Sequence, residues 1–431
     1  MAERGGSPIE KLNILVFPAG TEIAFEIHRA LKYSKFIKLY GATSVPCHAE
    51  FVFERCFVGV PFVGDDKLID ELNRIIDANA IDFIFPAHDD ALLELARSEN
   101  RLHAKVVAPC LETVEICRDK RKTYEFFKGA DYLPKVYASA DEIDSFPVFV
   151  KPAIGQGSTG ARRVDRAEDL PDGDYVICEY LPGAEYTVDC FTDINGKLRL
   201  VSPRTRDRIR AGIAVRTRTF SADKNIRAIA EDINSRLRFN GAWFFQLKKD
   251  AHGEYALLEI APRIAGTMGA TRNLGYNLPL LTLYNMMEEK VELMGNGNSQ
   301  ILDRAFVSRF KTDIAYDNVY VDYDDTLVVN GKVNEELISF LYQARNNGKH
   351  IFLLSRHDGS ILDALEEHAI SELLFEGIIV LNRNGSKGEF IKPQSIFIDD
   401  SFSERKRVHE TTGIPVFDLD AVESLIKWNR R

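Results

Sequence analysis

Short apolar runs alternate with amphipathic segments over roughly the first quarter of the chain. LNILVF (12–17) is an apolar run that ends shortly before Gly20, and TEIAFEIHRALKY follows with apolar residues at helical spacing. The pair recurs as FIKLYGAT with a helix over about 66–79, and as IDFIFPAHDD with a helix that begins at Ala91. This alternation predicts a small doubly wound parallel α/β domain. Strand ends in such sheets bind ligands, so Gly20 and the run 88–90 are candidate site residues, although the run could simply cap a helix.

The pattern changes after a single helix that we predict over about 112–128. Strands now lie closer together and are separated by glycine-rich or Asn-Gly turns, as in FPVFVKPAIGQGSTGARRV and GAWFFQLKKDAHGEYALLEIAPR. Asn195-Gly196 between two apolar runs is a strong hairpin signal. These features predict an antiparallel α+β region, and a separate α/β pattern returns from about residue 318. The predicted domains are 1–112, 113–312 and 313–431.

Composition and charge narrow the classes of partner. The net charge of -10 disfavours a nucleic-acid binder, because affinity for phosphate backbones comes from clustered Lys and Arg. No apolar run approaches the roughly 18 residues that span a bilayer, and the N-terminus has no apolar signal core. The six cysteines form no CxxC pair. We therefore expect a reduced, cytoplasmic protein with small-molecule substrates, no nucleic acid and no membrane partner, and a homo-oligomer is compatible with the sequence.

A glycine-rich segment lies between two predicted antiparallel strands. Gly155, Gly157 and Gly160 satisfy GxGxxG, but the segment does not open a helix, which argues against a dinucleotide fingerprint. Together with Ser158 and Thr159 it fits a loop whose backbone N–H groups bind phosphates. A plain turn is the alternative.

Charged and hinge residues near this loop fit a nucleotide site. Lys151 ends the strand before the loop and Lys120 lies near the start of the preceding helix, so both ammonium groups are candidate phosphate ligands. Either lysine could instead be a solvated surface residue. In CEYLPGAEYTVD, the backbone around Glu179 and Leu181 is a candidate adenine-binding hinge, and Glu185 is a candidate acceptor for ribose hydroxyls.

Oxygen-bearing side chains face each other further along the chain. Gln246 and Glu259 lie on neighbouring predicted strands joined by the turn around residues 252–253. Magnesium prefers oxygen ligands, and nucleotide phosphates usually complete its coordination. Arg263 follows directly, and the fork of its guanidinium suits a transferring phosphoryl group.

Taken in order, these segments resemble the ATP-grasp superfamily, in particular its carbamoyl-phosphate-synthase-like branch, over about residues 12–310. The resemblance rests on Asp119-Lys120, VKP at 150–152, the GQGSTG loop, EYLPGAEYTVD, and Gln246 followed by EIAPR. It implies an N-terminal pre-ATP-grasp domain and two α+β lobes that grip ATP. It also implies ATP-dependent activation of a carboxylate as an acyl phosphate, which an amine or another nucleophile attacks, with release of ADP.

One position departs from the ATP-grasp pattern. The family usually has Asn-Pro-Arg after the glutamate, with the amide as a further metal ligand, whereas this chain has Ala261. An alanine cannot coordinate a metal. Two alternatives to a ligase therefore stay open: an ATP-binding regulatory module, and a kinase that phosphorylates a small metabolite.

Acidic and hydroxyl side chains follow three apolar strands of the last region. VYVDYDDTLVV places Asp322, Asp324 and Thr326 just past a strand, HIFLLSR places Ser355, and SIFIDD places Asp399-Asp400. The carboxyl ends of parallel strands meet at one edge of a sheet. Carboxylates that converge there repel one another and need a cation, and hard oxygen ligands favour magnesium.

This pattern resembles the haloacid-dehalogenase-like (HAD-like) superfamily over about residues 317–431. The resemblance implies a capless Rossmannoid phosphatase with a phosphate ester substrate, in which Asp322 is the nucleophile, Asp324 is the general acid and base, and Ser355 holds a phosphoryl oxygen. The implied magnesium ligands are Asp322, Asp324, Asp399 and Asp400. Lys387 is preferred as the lysine of the site because it begins a short helical stretch before the last strand, and Lys392 is the alternative. The whole chain is interpreted as an ADP-forming ATP-grasp ligase fused to a phosphatase.

Overall fold

The structure analysed is a computed structural model that describes residues 11–155, 157, 159–382 and 385–428. The chain divides between Phe306 and Val307 into two compact units, called unit 1 and unit 2 below. The division predicted from the sequence, after residue 312, lies a few residues further along. Both units mix helices and strands. Within the described ranges, no helix combines the length and the apolar character needed to cross a bilayer.

Unit 1 begins with a five-stranded parallel sheet in the order β3-β2-β1-β4-β5. Its elements are β1 (Leu12–Phe17), α1 (Glu22–Leu31), β2 (Ile37–Thr43), β3 (Arg55–Val58), α2 (Leu68–Asn79), β4 (Phe83–Pro86), α3 (Asp89–Arg97) and β5 (Lys105–Val106). Side chains alternate along β1, so Ile14 and Val16 join one hydrophobic cluster while Leu15 and Phe17 join another. Both faces of the sheet are therefore covered.

The single helix predicted over 112–128 is in fact two helices. They are α4 (Leu111–Arg118) and α5 (Lys120–Phe126). Asp119 separates them with an extended backbone (φ −108°, ψ 113°), and its carboxylate accepts hydrogen bonds from two N–H groups in the first turn of α5. The break frees the N–H of Lys120 to donate to the carbonyl of Ala153 at 2.9 Å, which ties Lys120 to the segment before the glycine-rich loop.

The rest of unit 1 is built from antiparallel sheets and three helices. One sheet has the order β6-β9-β7-β8, a second β11-β10-β14-β15, and a third β12-β13-β16. The strands are β6 (Val136–Tyr137), β7 (Val148–Pro152), β8 (Arg162–Val164), β9 (Tyr175–Glu179), β10 (Glu185–Thr192), β11 (Leu198–Thr205), β12 (Arg208–Arg210), β13 (Ile213–Arg218), β14 (Gly241–Lys249), β15 (Tyr255–Ala261) and β16 (Ile301–Asp303). The helices are α6 (Lys224–Arg236), α7 (Gly269–Arg272) and α8 (Leu278–Met286). The glycine-rich loop joins β7 to β8, and the Asn195-Gly196 turn joins β10 to β11.

Unit 2 contains a five-stranded parallel sheet in the order β21-β20-β17-β22-β23. Its elements are β17 (Asn318–Val321), β18 (Val328–Val329), β19 (Lys332–Val333), α9 (Glu335–Asn346), β20 (His350–Ser355), α10 (Ile361–Glu367), β21 (Gly377–Val380), β22 (Ser395–Ile398), α11 (Phe402–Thr412) and β23 (Val416–Phe417). The central strand β17 sends Val319 and Val321 into one cluster and Tyr320 into another. The carboxyl ends of β17, β20 and β22 meet at one edge of this sheet.

Candidate nucleotide and metal sites

A cavity in unit 1 is lined by residues of two antiparallel sheets. Its walls contain ten of the residues that the sequence assigned to nucleotide or metal binding: Lys120, Lys151, Gly155, Gly157, Thr159, Glu179, Leu181, Glu185, Gln246 and Glu259. The predicted phosphate ligand Ser158 lies outside the described residues. Arg263 lines a different, adjoining cavity. The fold thus gathers in one place residues that lie far apart along the chain.

Two lysines bring positive charge to this cavity. The buried ammonium of Lys151 donates to the hydroxyl of Tyr124 at 2.5 Å and to the carbonyl of Leu258 at 3.2 Å. The ammonium of Lys120 donates to the carbonyl of Gly155 at 3.2 Å. Burial lowers the pKa of Lys151. Neither lysine forms an ion pair within the described part of the chain, so both charges remain available for an anionic ligand.

The candidate adenine hinge is held by backbone contacts. The carboxylate of Glu179 accepts from the backbone N–H of Lys135 at 2.7 Å, and the N–H of Glu179 donates to the carbonyl of Lys135 at 2.9 Å. The side chain of Glu179 therefore joins β9 to the start of β6. Leu181 is buried against the cavity. Gly183 follows, where a Cβ would lie 2.7 Å from the carbonyl oxygen of Lys249.

Two charged residues of this cavity, Lys248 and Arg206, were not predicted from the sequence. Arg206 lies just past β11, and its Nε is 2.6 Å from Oε1 of Glu185. Both side chains are largely buried, so the predicted ribose acceptor is already half of an ion pair. Every second residue from 206 to 210 is an arginine, which indicates a basic segment after β11. Nothing in that pattern distinguishes Arg206 from the exposed arginines that follow it.

The candidate metal pair in unit 1 lies on adjacent strands in register. Gln246 of β14 is the direct partner of Glu259 of β15, and its amide donates to Oε1 of that carboxylate at 2.7 Å. The amide oxygen and the second carboxylate oxygen are suitable ligands for a hard cation. Ala261 pairs with Phe244 and is buried, so it supplies no ligand atom.

Arg263 does not have the free guanidinium that the sequence suggested. It forms a bidentate pair with Asp89, at 2.6 Å and 2.7 Å, and lines the second cavity. Although burial opposes ionisation, the guanidinium lowers the pKa of Asp89. Asp89 is the first residue of α3, and His88 caps that helix by accepting from the N–H of Asp90 at 3.3 Å. The run 88–90 therefore both caps a helix and contributes to a cavity.

In unit 2, carboxylates from two strands converge at the edge of the sheet. Ligand atoms of Asp322, Asp399 and Asp400 all lie within 4.8 Å of one another. Nζ of Lys387 lies 3.0 Å from Oδ1 of Asp322 and 2.6 Å from Oδ2 of Asp399. Burial raises the pKa of Asp399 to about 6, against the opposing effect of Lys387. The hydroxyl of Thr326 donates to Asp400 at 3.0 Å.

Two further sequence candidates lie apart from the acidic cluster. The carboxylate of Asp324 is not among its ligands and instead lies 3.0 Å from Nδ1 of His357. The chain turns at Tyr323, whose carbonyl accepts from the N–H of Leu327 at 2.9 Å, so the alternation of a strand no longer aligns Asp324 with Asp322. Lys392 places its ammonium over the ring of Phe352, 4.9 Å from the centroid.

Ser355 lies at the carboxyl end of β20, beside the strand that leads to Asp322. It is buried, and its hydroxyl has no hydrogen-bond partner among the described residues. A buried hydroxyl without a partner carries a desolvation cost, which a ligand that hydrogen-bonds to it would remove.

Comparisons with known proteins agree with the geometry of unit 1. Residues 172–302 match a family model described as "ATP-grasp in the biosynthetic pathway with Ter operon". No curated protein matches the chain in sequence. Among solved structures, the chain is similar to biotin carboxylase of Campylobacter jejuni, with a TM-score of 0.55 and 16% identity over 68% of this chain and 75% of that one.

Two other structures show the same likeness of fold. N5-carboxyaminoimidazole synthetase of Staphylococcus aureus has a TM-score of 0.52 and 15% identity, over 66% of this chain and 80% of that one. L-amino acid ligase of Bacillus licheniformis has a TM-score of 0.51 and 17% identity, over 65% of this chain and 74% of that one. The family match is confined to residues 172–302, and the solved structures show a likeness of fold.

Proposed function

We propose that unit 1 is an ATP-dependent ligase that binds ATP and magnesium in the first cavity. The observation that carries the proposal is the convergence in one cavity of two lysines, a glycine-rich loop, a main-chain hinge and an oxygen pair. Related folds bind such ligands: the Campylobacter jejuni structure is described as a complex with β,γ-ATP, and a Staphylococcus aureus synthetase structure as a complex with ADP. The C-terminal part of the family match spans the strands that carry Gln246 and Glu259.

In this proposal, different residues of the cavity bind different parts of the nucleotide. Lys120, Lys151 and the N–H groups of the glycine-rich loop hold phosphate oxygens, and main-chain groups around Leu181 receive adenine. Gln246 and Glu259 fit magnesium because they lie side by side on paired strands, and the amide oxygen and the second carboxylate oxygen remain for a metal. Bound magnesium would neutralise charge on the phosphates and so favour their attack by a carboxylate.

The proposed reaction has two steps. A substrate carboxylate oxygen attacks the terminal phosphorus, and the bond to the bridging oxygen breaks to release ADP. An amine or another nucleophile then attacks the acyl carbon and expels phosphate. The second cavity adjoins the first through Lys120, Gly155, Gly157 and Glu259, and it provides space for the carboxylate substrate beside the phosphates.

Substrate-dependent release of ADP tests the ligase. The Asp322→Asn protein is incubated with ATP, magnesium and pools of amino acids, so that phosphohydrolysis in unit 2 does not obscure the result. We expect ADP to form with a subset of pools, and Lys151→Met to abolish it. ATP binding without ADP release in any pool would favour a regulatory module instead. A new phosphate ester, seen by phosphorus NMR, would identify a kinase.

We further propose that unit 2 is a magnesium-dependent phosphohydrolase of the HAD-like kind. The single observation that favours it is the position of Lys387, whose buried ammonium bridges Asp322 and Asp399 at the end of β17 and β22. A parallel sheet, an acidic cluster and the buried hydroxyl of Ser355 meet at that same edge. Lys392 lies elsewhere, which supports Lys387 as the lysine of the site.

In the proposed hydrolysis, a carboxylate oxygen of Asp322 attacks phosphorus while Asp324 gives a proton to the leaving alkoxide. Water then attacks phosphorus, Asp324 takes its proton, and the bond from phosphorus to the Asp322 oxygen breaks to release phosphate. Asp322, Asp399 and Asp400 fit magnesium, since ligand oxygens of all three lie within 4.8 Å of one another. Bound magnesium would offset the negative charge of the approaching phosphate.

Hydrolysis of aryl phosphates tests this second activity. We expect magnesium-dependent release of phosphate that Asp322→Asn reduces at least about a hundredfold, because the nucleophile is lost. Asp363→Asn, an exposed carboxylate of α10, serves as the matched control and should hydrolyse at the parent rate. Equal rates for Asp322→Asn and Asp363→Asn would refute the assignment.

A further inference from the structure

The strand pair β12–β13, called the arginine hairpin below (residues 208–218), brings its tip to the glycine-rich loop. At the tip, Ala211 and Gly212 have φ values of +47° and +74°. A Cβ added to Gly212 would lie only 2.1 Å from the carbonyl carbon of Gly157. The two backbones are therefore in direct contact, and both glycines line the first cavity. The tip of the arginine hairpin forms part of the cavity wall beside the predicted phosphate loop.

Arg206 connects this tip to Glu185, which also lines the cavity. Its Nη2 donates to the carbonyl of Gly212 at 2.9 Å, while its Nε lies 2.6 Å from Oε1 of Glu185. The side chain is 7% exposed, so both contacts lie in a largely dehydrated environment. A planar guanidinium can serve two acceptors in different directions, whereas an ammonium on a flexible stem has no such fixed fork.

We propose that Arg206 is a positioning residue for nucleotide binding, which holds the tip of the arginine hairpin against the glycine-rich loop and so completes the cavity wall over the phosphates. This inference rests on the proposed binding of ATP in the first cavity. Arg206 acts through Gly212 and Gly157. One carboxylate oxygen of Glu185 faces Arg206, which leaves the other for a ribose hydroxyl, so the ribose and the hairpin tip are linked through a single ion pair.

Gly212→Ala tests the contact between hairpin and loop. The new methyl group would collide with main-chain atoms of Gly157, which cannot rotate away as a side chain can, so the two segments must separate. Gly196→Ala is the matched control, because Gly196 has nearly the same φ of +73° at the turn between β10 and β11 but nothing within 4 Å of an added Cβ. Both variants place an alanine at a positive φ, but only Gly212→Ala brings the new methyl group against main-chain atoms.

The readout is the Kd for magnesium–ATP and for adenosine, measured by calorimetry on the full chain. We expect Gly212→Ala to raise the Kd for ATP about tenfold and the Kd for adenosine less than about twofold, because the contact lies at the phosphate loop. Gly196→Ala should change neither by more than about twofold. Equal effects of the two variants, or equal effects on ATP and adenosine, would overturn the inference.

A second pair of variants decides the question if Gly212→Ala fails to fold. Arg206→Lys keeps the charge but loses the fork, and we expect it to weaken ATP binding about fivefold or more with little effect on free adenine, which lacks the ribose that Glu185 would bind. Arg218→Gln, an exposed arginine of the same hairpin, is its control. ATP affinity that is the same in both variants would overturn the positioning role. If the parent chain binds no ATP, the proposed function fails, and this inference fails with it.

Discussion

Lys387 lies at the centre of the acidic cluster of unit 2. Its buried ammonium holds together two carboxylates that would otherwise repel each other. Removing one partner of a buried ion pair costs about 3–5 kcal/mol, because the remaining charge is left without compensation. We therefore expect Lys387→Met to lower the free energy of unfolding of unit 2 by about 3 kcal/mol in urea titrations at pH 7 without magnesium.

Lys392→Met is the control for this experiment, since the side chain of Lys392 is exposed and lies over a phenylalanine ring. Surface substitutions of this kind usually change stability by less than about 0.5 kcal/mol. Equal losses in the two variants would contradict the assignment of Lys387. The sequence narrowed the choice to two lysines but could not decide between them, because both follow the same loop and only the packed structure shows which one reaches Asp322.

Asp399 makes the free energy of unfolding of unit 2 depend on pH, in a direction that follows from its raised pKa. Burial raises its pKa from the usual 3.8 to about 6, so the folded state binds more protons than the unfolded state between these values. The stability that this group contributes is fully present below about pH 4 and is lost as the pH rises through about 6. At about 1.4 kcal/mol per pKa unit, the loss is about 3 kcal/mol.

We expect the difference in unfolding free energy between Asp399→Asn and the parent to shift by about this amount in favour of the variant between pH 4 and pH 7, in magnesium-free buffer. Urea unfolding at several pH values measures this difference. The other titrating groups are present in both proteins, so their contributions cancel when the two unfolding free energies are subtracted. A difference that does not change with pH would show that Asp399 is charged throughout this range.

At the level of elements, the pair between Asp89 and Arg263 joins the start of α3 to the segment after β15. Both side chains are mostly buried, and the contact is bidentate. Residues that form one such pair do not act independently, and coupling energies of about 0.5–3 kcal/mol are typical. We expect a double-mutant cycle with Asp89→Ala and Arg263→Ala to give a coupling of about 2 kcal/mol in the unfolding of unit 1.

The pair between Arg97 and Glu115 provides the control cycle, because it also joins two elements but its side chains are 53% and 33% exposed. Its coupling should stay below about 1 kcal/mol. Two cycles of equal size would mean that burial does not strengthen the Asp89 pair.

The sequence allowed the helices and strands to be predicted better than the contacts between them. The period of apolar residues predicted the order of strands and helices, because burial of one face imposes that period locally. Two features could not be predicted from this period. The predicted helix over 112–128 breaks at Asp119, since a cap and a tertiary hydrogen bond outweigh helix propensity there. The partner of Arg263 lies 174 positions earlier in the chain, where no local pattern could indicate it.

At the scale of the whole molecule, the chain carries separate cores. Each hydrophobic cluster of the described residues draws its members from one unit alone: those around Ile14, Leu15 and Trp243 belong to unit 1, and those around Val319 and Tyr320 to unit 2. Compact units with their own cores usually unfold as separate cooperative transitions. We therefore expect two transitions in calorimetry, assigned with Phe245→Leu in unit 1 and Phe340→Leu in unit 2.

Ligands should then move these transitions selectively. A ligand at one hundred times its Kd stabilises the folded state by about 2.7 kcal/mol, and only in the unit that binds it. We expect ATP with magnesium to raise the midpoint of the unit 1 transition, an effect that Lys151→Met removes. Magnesium with inorganic phosphate should raise the unit 2 midpoint, an effect that Asp322→Asn removes while leaving the ATP response intact. A single transition that either ligand shifts would contradict two independent units. A unit 2 midpoint that magnesium and phosphate leave unchanged would argue that the acidic cluster is held by Lys387 alone and takes no metal.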